Sequence, residues 1–267
     1  MLTGVGVENP ALDARLLLEK ASHKTVADLI TSDREIVPQS VQTDFQELLG
    51  ARLAREPMAY IFGTKAFWAL DFVVDENVLI PRPETEGVVA RALALMGDMS
   101  KPRILDIGTG SGALLISLLH ERPDASGTGV DISPAALKIA RINAKRCKVS
   151  DRSLFYSSDY LENIIERYDI IVCNPPYIDE GAMANLMPDV ELYEPDLALY
   201  GGKDGLDAYR TIIPGLRDVL KPGGFIVFEI GYDQKQAVTT LLDEAGAKDI
   251  ICQQDLAGHD RIISATF

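Results

Sequence analysis

The chain has 267 residues, 47% hydrophobic and 25% charged, so it is long enough for a substantial core in one large domain or two unequal ones. No apolar run approaches the ~20 residues that cross a bilayer, and the N-terminus lacks the basic and apolar blocks of a secretory signal. The formal net charge of −14 argues against a broad nonspecific grip on nucleic acid, which needs clustered Lys and Arg.

The first 66 residues have helical patterns. "NPALDARLLLEKA" begins with an Asn and a Pro that suit an N-cap and a first turn, and "SVQTDFQELLGARLAREP" repeats apolar residues at helical spacing. "TVADLIT" between them predicts a short helix. We therefore predict a small helical domain over 1–66.

The stretch over 67–85 changes character. "AFWALDFVVDENVLIPRPE" is aromatic and β-branched, with a polar turn at Asp75 to Asn77, which is typical of a hairpin. We expect this hairpin to connect two domains. Arg82 and Glu84 within it either bind the substrate or hold the domains together through an ion pair, and the structural role is favoured.

Over 86–267, short apolar strands alternate with helices. The predicted strands are "RILDI", "GTGVDI", "RSLFYS", "DIIVCN", "FIVFEI", "IICQQD" and "RIISATF". This alternation predicts an α/β fold with a doubly wound, mainly parallel sheet of seven strands and helices on both faces. The segment 179–207 is long and loop-rich, as expected of a segment that covers a site.

A glycine loop follows the first of these strands. "ILDIGTGSGALLISLL" predicts a strand, a loop and a helix, and its glycines permit tight turning and close approach of a ligand to the backbone. The start of the helix offers free N–H groups and a positive dipole end. We therefore predict a cofactor site formed by Gly108, Thr109, Gly110, Ser111 and Gly112.

Two carboxylates near the loop bear on the nature of this cofactor. Asp131 ends the next strand 23 positions after Gly108, close to the ~20-residue spacing at which a carboxylate binds ribose hydroxyls. The loop and Asp131 together indicate an adenosine-containing cofactor. The loop also satisfies G-x-G-x-x-A through Ala113, so a nicotinamide dinucleotide is a rival. Asp106 either faces the ligand or binds backbone amides at its strand end.

"SSDYL" ends the third strand of the series. Asp159 and Tyr160 lie in it, and we expect them to bind the adenine amino group and to lie against the ring. The alternative is an ordinary polar loop. The position at the carboxyl end of a strand favours the cofactor.

"NPPY" ends the fourth strand. Pro175 restricts Asn174 to an extended conformation and Pro176 fixes the next backbone angle, so the loop is stiff before a ligand arrives. The Asn174 side-chain oxygen and the Pro175 carbonyl are acceptors for both hydrogens of one planar NH₂ group. Tyr177 supplies a ring to pack on that group. The pattern indicates methyl transfer to an amide or exocyclic amine nitrogen, with catalytic roles for Asn174, Pro175 and Tyr177.

The glycine loop, Asp131 and "NPPY" resemble class I S-adenosylmethionine-dependent methyltransferases that modify such nitrogens. Longer segments resemble the peptide chain release factor glutamine N5-methyltransferase family: "YIFGTKAFWALDFVVDENVLIPRPETE", "NPPYI", "YEPDLAL", "GGKDGLDAYR" and "LKPGGFIVFEIG". The resemblance covers nearly the whole chain, including the helical N-terminal part.

This resemblance implies methyl transfer from S-adenosylmethionine to the side-chain amide of Gln in the Gly-Gly-Gln loop of bacterial release factors. It assigns Asn174, Pro175, Pro176 and Tyr177 to substrate binding, and Asn174 to the cofactor site as well. It also implies a Rossmann-like sheet domain over 86–267 and a substrate-recognition role for 1–66.

Two rival functions remain at this point. An adenine-N6 methyltransferase of DNA or RNA shares "NPPY", but it needs a basic target-recognition region, and the net charge of −14 argues against one. A dinucleotide-dependent oxidoreductase or a cofactor-binding sensor without catalysis shares the glycine loop, but "NPPY" has no evident role in hydride transfer.

The cysteines and histidines give no pattern of a metal site. The three cysteines, at 147, 173 and 252, are widely spaced, which is typical of reduced thiols in the cytoplasm. The three histidines, at 23, 120 and 259, form no metal-ligand or triad spacing. We expect no metal, no membrane and a cytoplasmic protein, most simply a monomer.

Overall fold

The computed structural model describes residues 1–267, which divide into two compact units. The first unit is Met1–Gly63 with Met187–Tyr193, and the second is Thr64–Leu186 with Glu194–Phe267. Each helix is either too short or too polar to cross a bilayer.

The α-helices and strands follow each other in an order that changes from helical to alternating at residue 64. They are α1 (Pro10–Ser22), α2 (Val26–Thr31), α3 (Gln39–Leu53), α4 (Met58–Phe62), β1 (Thr64–Phe67), β2 (Leu70–Val73), α5 (Glu86–Met96), β3 (Arg103–Ile107), α6 (Ala113–Glu121), β4 (Ser126–Asp131), α7 (Pro134–Arg146), β5 (Ser153–Ser157), β6 (Tyr168–Cys173), α8 (Glu180–Met183), α9 (Pro188–Tyr193), α10 (Asp207–Ile212), α11 (Leu216–Val219), β7 (Leu220–Glu229), α12 (Lys235–Glu244), β8 (Lys248–Gln254) and β9 (Asp260–Thr266).

The first unit contains the helices that the sequence predicts. Asn9 occupies the N-cap position of α1 but makes no side-chain cap bond, whereas Thr25 and Asp28 form a reciprocal capping box on α2. In the interior, Arg52 Nε donates to Asp13 Oδ2 at 2.7 Å and Arg52 Nη1 donates to Asp189 Oδ2 at 2.8 Å. These buried ion pairs join α1, α3 and α9, which explains why a segment distant in sequence belongs to this unit.

The hairpin forms, but its turn lies earlier than the sequence analysis expects. Strands β1 and β2 pair antiparallel from Thr64 with Val73 to Phe67 with Leu70, so Trp68 and Ala69 form the turn. Trp68 adopts a positive φ of 55°, and its backbone N–H donates to a Glu86 carboxylate oxygen at 2.7 Å. That tertiary contact stabilises a conformation that a bulky residue rarely adopts. The expected turn at Asp75 to Asn77 exists as a separate turn after β2, closed by hydrogen bonds to Asp75.

The second unit is built on a seven-stranded sheet with the order β5-β4-β3-β6-β7-β9-β8. The pairs β3–β4, β4–β5, β3–β6 and β6–β7 are parallel, and β9 is antiparallel to both of its neighbours. The predicted fold class and all seven predicted strands are confirmed. The direction of winding reverses between β3 and β6, and such a switch point opens a crevice at the carboxyl ends of the strands.

Apolar layers cover both faces of this sheet. One layer packs α5, α6 and α7 with the hairpin aromatics Phe67 and Phe72, and the other includes Tyr209, Phe228 and residues of α12. Asn143, fully buried on α7, donates to the backbone oxygens of Val73 and Ser111 at 3.0 and 2.9 Å. This amide thereby fixes the glycine loop to the helix layer.

Candidate active site

A cleft opens at the switch point of the sheet, and it lies entirely within the second unit. Its wall combines the glycine loop, the ends of β4, β5 and β6, the segment after β2 and the residues after α9. The lining residues are Asn77, Val78, Leu79, Pro81, Arg82, Thr85, Asp106, Gly108, Thr109, Gly110, Ser111, Ala113, Leu114, Asp131, Ile132, Ser133, Ala136, Ser158, Asp159, Tyr160, Asn174, Pro176, Pro195, Leu197 and Ala198.

The glycine loop forms one wall of this cleft. Gly108 and Gly110 have φ of +68° and +54°, and a Cβ added to either would meet no atom within 4 Å. These glycines therefore leave open space at the cleft, as a closely approaching ligand requires. Gly112 differs, because its added Cβ would lie 2.7 Å from Ile116 Cδ1. It lies outside the cleft lining and serves as the N-cap of α6.

Asp131 lies at the end of β4 and is connected to the glycine loop. Its Oδ2 accepts from the Gly110 N–H at 2.8 Å, and its Oδ1 accepts from the Ser133 N–H at 2.9 Å. Burial raises the pKa of Asp131, and the backbone hydrogen bonds from Ser133 and Gly110 oppose that rise. A carboxylate has about four acceptor positions, so positions remain for ligand hydroxyls in the cleft.

Asp106 is buried at the end of β3, where it lines the cleft and also accepts from a backbone amide. Its Oδ2 accepts from Thr109 Oγ1 at 2.6 Å and from the Leu115 N–H at 3.3 Å. Its Oδ1 is buried and has no hydrogen-bond partner. Burial raises the pKa of Asp106 to about 7, although the hydrogen bonds from Thr109 and Leu115 act to lower it. A ligand cation in the cleft would favour the ionised carboxylate.

The loop after β5 contributes Ser158, Asp159 and Tyr160 to the cleft. Tyr160 has a φ of +43°, which is unusual for an aromatic residue and is typical of a constrained position near a site. Burial raises the pKa of the Tyr160 phenol to about 12. Asp159 is exposed while Ser158 is buried, so this loop offers a polar edge beside an aromatic ring.

The "NPPY" loop forms the facing wall. The Asn174 Nδ2 donates to Thr85 Oγ1 at 3.2 Å, which leaves its carbonyl oxygen Oδ1 for the cleft. Pro176 lines the cleft, whereas Pro175 is buried and Tyr177 lies behind the lining. The structure therefore brings Asn174 and Pro176 to the cleft surface directly and uses Pro175 and Tyr177 as its support.

Tyr177 extends from this loop to a buried carboxylate. Its phenol donates to Glu229 Oε1 at 3.1 Å, and Glu229 is only 1% exposed at the end of β7. Burial raises the pKa of Glu229, and hydrogen bonds from Thr85 and Tyr177 together with the charge of Arg261 oppose that rise. The carboxylate is thus an acceptor beneath the loop.

Further contacts stiffen the loop from outside the cleft. Gln234 Nε2 donates to the backbone oxygens of Tyr177 and Gly205 at 3.0 and 3.1 Å. Gly201 passes so close that an added Cβ would lie 2.7 Å from both Pro176 O and Tyr177 Cα. This close approach gives a physical reason for the first glycine of "GGKDGLDAYR", because a side chain at 201 would displace the "NPPY" loop.

Arg82 reaches a buried partner within the same unit. Its Nη2 donates to Glu194 Oε1 at 2.5 Å, and Glu194 Oε2 accepts from the Ile80 N–H at 3.1 Å. The ion pair thus fastens the segment before α5 to the residues after α9. Glu84 is exposed. The ion pair lies within the second unit, so it is not the pairing between two domains that the sequence analysis favours for Arg82.

Sequence reasoning missed Thr85, Glu194 and Glu229 as parts of the site. Glu229 carries a recognisable signal, because "FIVFEI" places one carboxylate at the end of an otherwise apolar strand, at the edge where the cleft opens. Thr85 and Glu194 carry no such signal, since their partners lie 89 and 112 positions away. The structure also contains no cluster of His, Cys, Asp or Glu arranged to hold a metal ion.

Solved structures of methyltransferases have a fold similar to that of this chain. A methyltransferase from Pyrococcus furiosus superposes with a TM-score of 0.56 at 16% identity, covering 84% of this chain and 98% of that one. The hMettl16 catalytic domain, solved in complex with the MAT2A 3′UTR hairpin 6, gives a TM-score of 0.60 at 16% identity, over 73% of this chain and 74% of that one. At such identities the likeness concerns the fold alone.

Comparison with protein sequences is more specific. Residues 1–63 match the model of the PrmC N-terminal domain, and residues 90–189 match that of the methyltransferase small domain. The release factor glutamine methyltransferase of Caulobacter vibrioides is 41% identical over 98% of this chain and 91% of its own length. That of Cereibacter sphaeroides is 42% identical over 99% of this chain and 94% of its own length. The chain belongs to the release factor glutamine methyltransferase family.

Proposed function

We propose that this protein transfers a methyl group from S-adenosylmethionine to the side-chain amide nitrogen of the Gln in the Gly-Gly-Gln loop of peptide chain release factors. The observation that supports it most is identity of about 41% over nearly the whole chain with relatives that are release factor glutamine methyltransferases. The presence of Asn174 in a cleft opposite the glycine loop agrees with that chemistry.

The residues on the glycine-loop side fit this cofactor. Asp131 has free acceptor positions for ribose hydroxyls, and Tyr160 and Asp159 lie where an adenine ring would need an aromatic face and a polar edge. The orphaned Oδ1 of Asp106 suits a cationic ligand group. When bound, the cofactor supplies an electrophilic methyl group on a positively charged sulfur.

The acceptor side orients the substrate. A carboxamide nitrogen is a poor nucleophile because its lone pair is delocalised into the carbonyl. Asn174 Oδ1 accepts one N–H of the substrate amide at the cleft surface. The Pro175 carbonyl is the second acceptor that the sequence predicts, although Pro175 is buried and outside the cleft lining. Two such acceptors favour a pyramidal nitrogen whose lone pair points along the line to the methyl group. Positioning of this kind lowers barriers by up to ~7–11 kcal/mol. Formation of the N–C bond would break the bond between the methyl carbon and the sulfur, whose electron pair would stay on the sulfur as a neutral thioether, and the nitrogen would lose one N–H proton to solvent.

The helical first unit is proposed to recognise the release factor, while the second unit binds the cofactor and catalyses the reaction. We propose 1–66, 67–85 and 86–267 as the functional division into recognition domain, connector and catalytic domain. In the structure, 64–66 belong to the hairpin of the second unit, and Met187–Tyr193 belong to the first unit. We also propose that the enzyme acts as a cytoplasmic monomer and does not bind nucleic acid directly, in keeping with the net charge of −14.

A labelling experiment tests this function. The protein is incubated with labelled S-adenosylmethionine and, separately, with a release factor, with the release factor whose Gly-Gly-Gln glutamine is changed to Ala, and with duplex DNA. We expect one methyl group on the glutamine side chain, located by peptide mass spectrometry, and none in the other two reactions. Label on DNA, or equal label on the Gln→Ala factor, would contradict the proposal.

A further inference from the structure

The segment 195–198 of the second unit forms part of the cleft wall. Most of it is a short 3₁₀ turn, Asp196–Ala198, in which the Ala198 N–H donates to Pro195 O at 2.9 Å. Pro195, Leu197 and Ala198 line the cleft. Every side chain that this segment contributes to the cleft is therefore apolar, and such side chains discriminate between ligands by shape, because they have no group that donates or accepts a hydrogen bond.

Contacts on both sides fix this segment beside the "NPPY" wall. Before it, Glu194 Oε1 accepts from Arg82 Nη2 at 2.5 Å, and the Glu194 side chain is 1% exposed. After it, the Ile178 N–H donates to Leu199 O at 3.0 Å. Ile178 directly follows "NPPY" in the chain. The segment is thus attached to the backbone of the loop that carries Asn174.

The order of the strands separates the two ends of the cleft. Asp131 and Tyr160 follow β4 and β5, whereas Asn174 follows β6, and β3 lies between β4 and β6. The segment 195–198 is attached on the β6 side. It therefore lies at the acceptor end of the cleft, away from the residues proposed to bind ribose and adenine.

Leu197 lines the cleft with much of its surface uncovered. It is 60% exposed, whereas the neighbouring Leu199 is 5% exposed and belongs to the interior. The uncovered surface is free to pack against a bound molecule. Because the backbone of Leu197 is held in a turn with fixed contacts on both sides, a bulky group at the same place would force a shift of packed atoms, which is costly. This position favours a substrate segment that has little side chain.

We propose that Leu197 is a specificity-determining residue that admits the acceptor glutamine only where glycines precede it. The glutamine amide has to reach Asn174 Oδ1, so the glycines before it pass the wall around Asn174, of which Leu197 is part. A glycine leaves room there, and a Cβ at the same place would meet the leucine side chain. Discrimination of one added carbon by an apolar wall is worth about 10- to 200-fold. The inference rests on the proposed function, because it names the feature of the substrate that the same site selects.

Kinetics on matched release factors test this role. The substrates are the release factor and its two variants with Gly→Ala at either glycine of the Gly-Gly-Gln loop. The enzymes are the parent, Leu197→Ala and the control Leu256→Ala, which changes an exposed leucine outside the cleft lining. For the parent, we expect kcat/KM to be about 10- to 100-fold lower on at least one Gly→Ala factor than on the unchanged factor. Leu197→Ala should reduce this ratio by about 10-fold, and Leu256→Ala should leave it unchanged. Comparing ratios between enzymes cancels any effect of Gly→Ala on the release factor itself.

Binding measurements give the same comparison without turnover. Calorimetry of each enzyme loaded with S-adenosylhomocysteine measures the affinities of the three release factors, and we expect Leu197→Ala to lose selectivity for glycine here too. Its affinity for S-adenosylmethionine should equal that of the parent. Parent-like selectivity in Leu197→Ala, a parent enzyme that uses both Gly→Ala factors as well as the unchanged one, or a weakened affinity of Leu197→Ala for S-adenosylmethionine would overturn the role of Leu197. Failure of the parent to methylate the unchanged release factor would reject the proposed function instead, and the affinities would then decide whether Leu197 selects for glycine.

Discussion

The two walls of the cleft are built in different ways. The glycine-loop wall depends on backbone conformation and on contacts of moderate sequence separation, such as Asp131 with Gly110, 21 positions apart. The "NPPY" wall depends on side chains from distant segments, with Asn174 and Thr85 separated by 89 positions and Tyr177 and Glu229 by 52. We therefore expect the glycine-loop wall to be sensitive to changes of shape, and the "NPPY" wall to changes in the hydrogen-bonding pattern of its side chains.

The largest effect is expected on the "NPPY" wall. Asn174→Ala removes the acceptor for the substrate amide, so we expect kcat to fall by about 10²-fold or more, as for removal of one preorganised polar group. Single-turnover rates with both substrates saturating measure this loss. The matched control is Asn163→Ala, an exposed residue outside the cleft lining. A parent-like rate in Asn174→Ala would remove the basis for the orientation mechanism.

A substitution of Asp131, on the glycine-loop wall, should weaken the binding of the cofactor. Asp131→Asn keeps one acceptor oxygen near Gly110 but removes the charge, so we expect S-adenosylmethionine affinity to weaken by about 1.5–3 kcal/mol, the range for hydrogen bonds to charged groups. Isothermal titration calorimetry measures it. Asp218→Asn, which changes an exposed carboxylate outside the cleft, controls for the loss of one charge. Equal affinities in these two variants would count against the ribose role.

Gly110→Ala tests the backbone character of the same wall. The added methyl group would point into the open space of the cleft, and we expect a loss of cofactor affinity of about 1–3 kcal/mol, as for overpacking. Gly223→Ala is a close control, because Gly223 also has positive φ, +77°, with no atom within 4 Å of an added Cβ, but lies outside the cleft. Both variants share the left-handed backbone strain, so a binding loss specific to Gly110 isolates the cofactor contact.

The smallest expected effect concerns the ion pair between Arg82 and Glu194 and its contribution to the stability of the folded protein. Arg82→Met leaves the buried Glu194 without its cation, and we expect the free energy of unfolding to fall by about 1.5 kcal/mol, since Arg82 itself is partly exposed. Arg210→Met is the control, because it breaks exposed ion pairs with Asp204 and Asp207 that are worth about 0.2–1 kcal/mol. Urea denaturation compares the two variants. Equal losses of unfolding free energy in Arg82→Met and Arg210→Met would contradict a specific stabilising role for the Arg82–Glu194 ion pair.

The hairpin shows where local patterns mislead. The polar residues at 75–77 have the composition of a hairpin turn, yet the chain turns at Trp68 and Ala69. Local composition favours the first site because Asp and Asn suit turns. The contact from Trp68 to Glu86 stabilises the second site, and Glu86 lies outside any local window.

The sequence by itself determined the alternating α/β fold, the glycine loop with Asp131, the stiff "NPPY" loop and the family. Each of these depends on residues close together in the chain or on the carboxyl ends of strands, which parallel sheets bring to one edge. Only the tertiary structure decided that Glu194 binds Arg82, that Glu229 lies beneath Tyr177 and that Thr85 meets the Asn174 amide. Those contacts join segments 52 to 112 positions apart, and hydrogen-bond direction between such segments is set by packing, which no local pattern records.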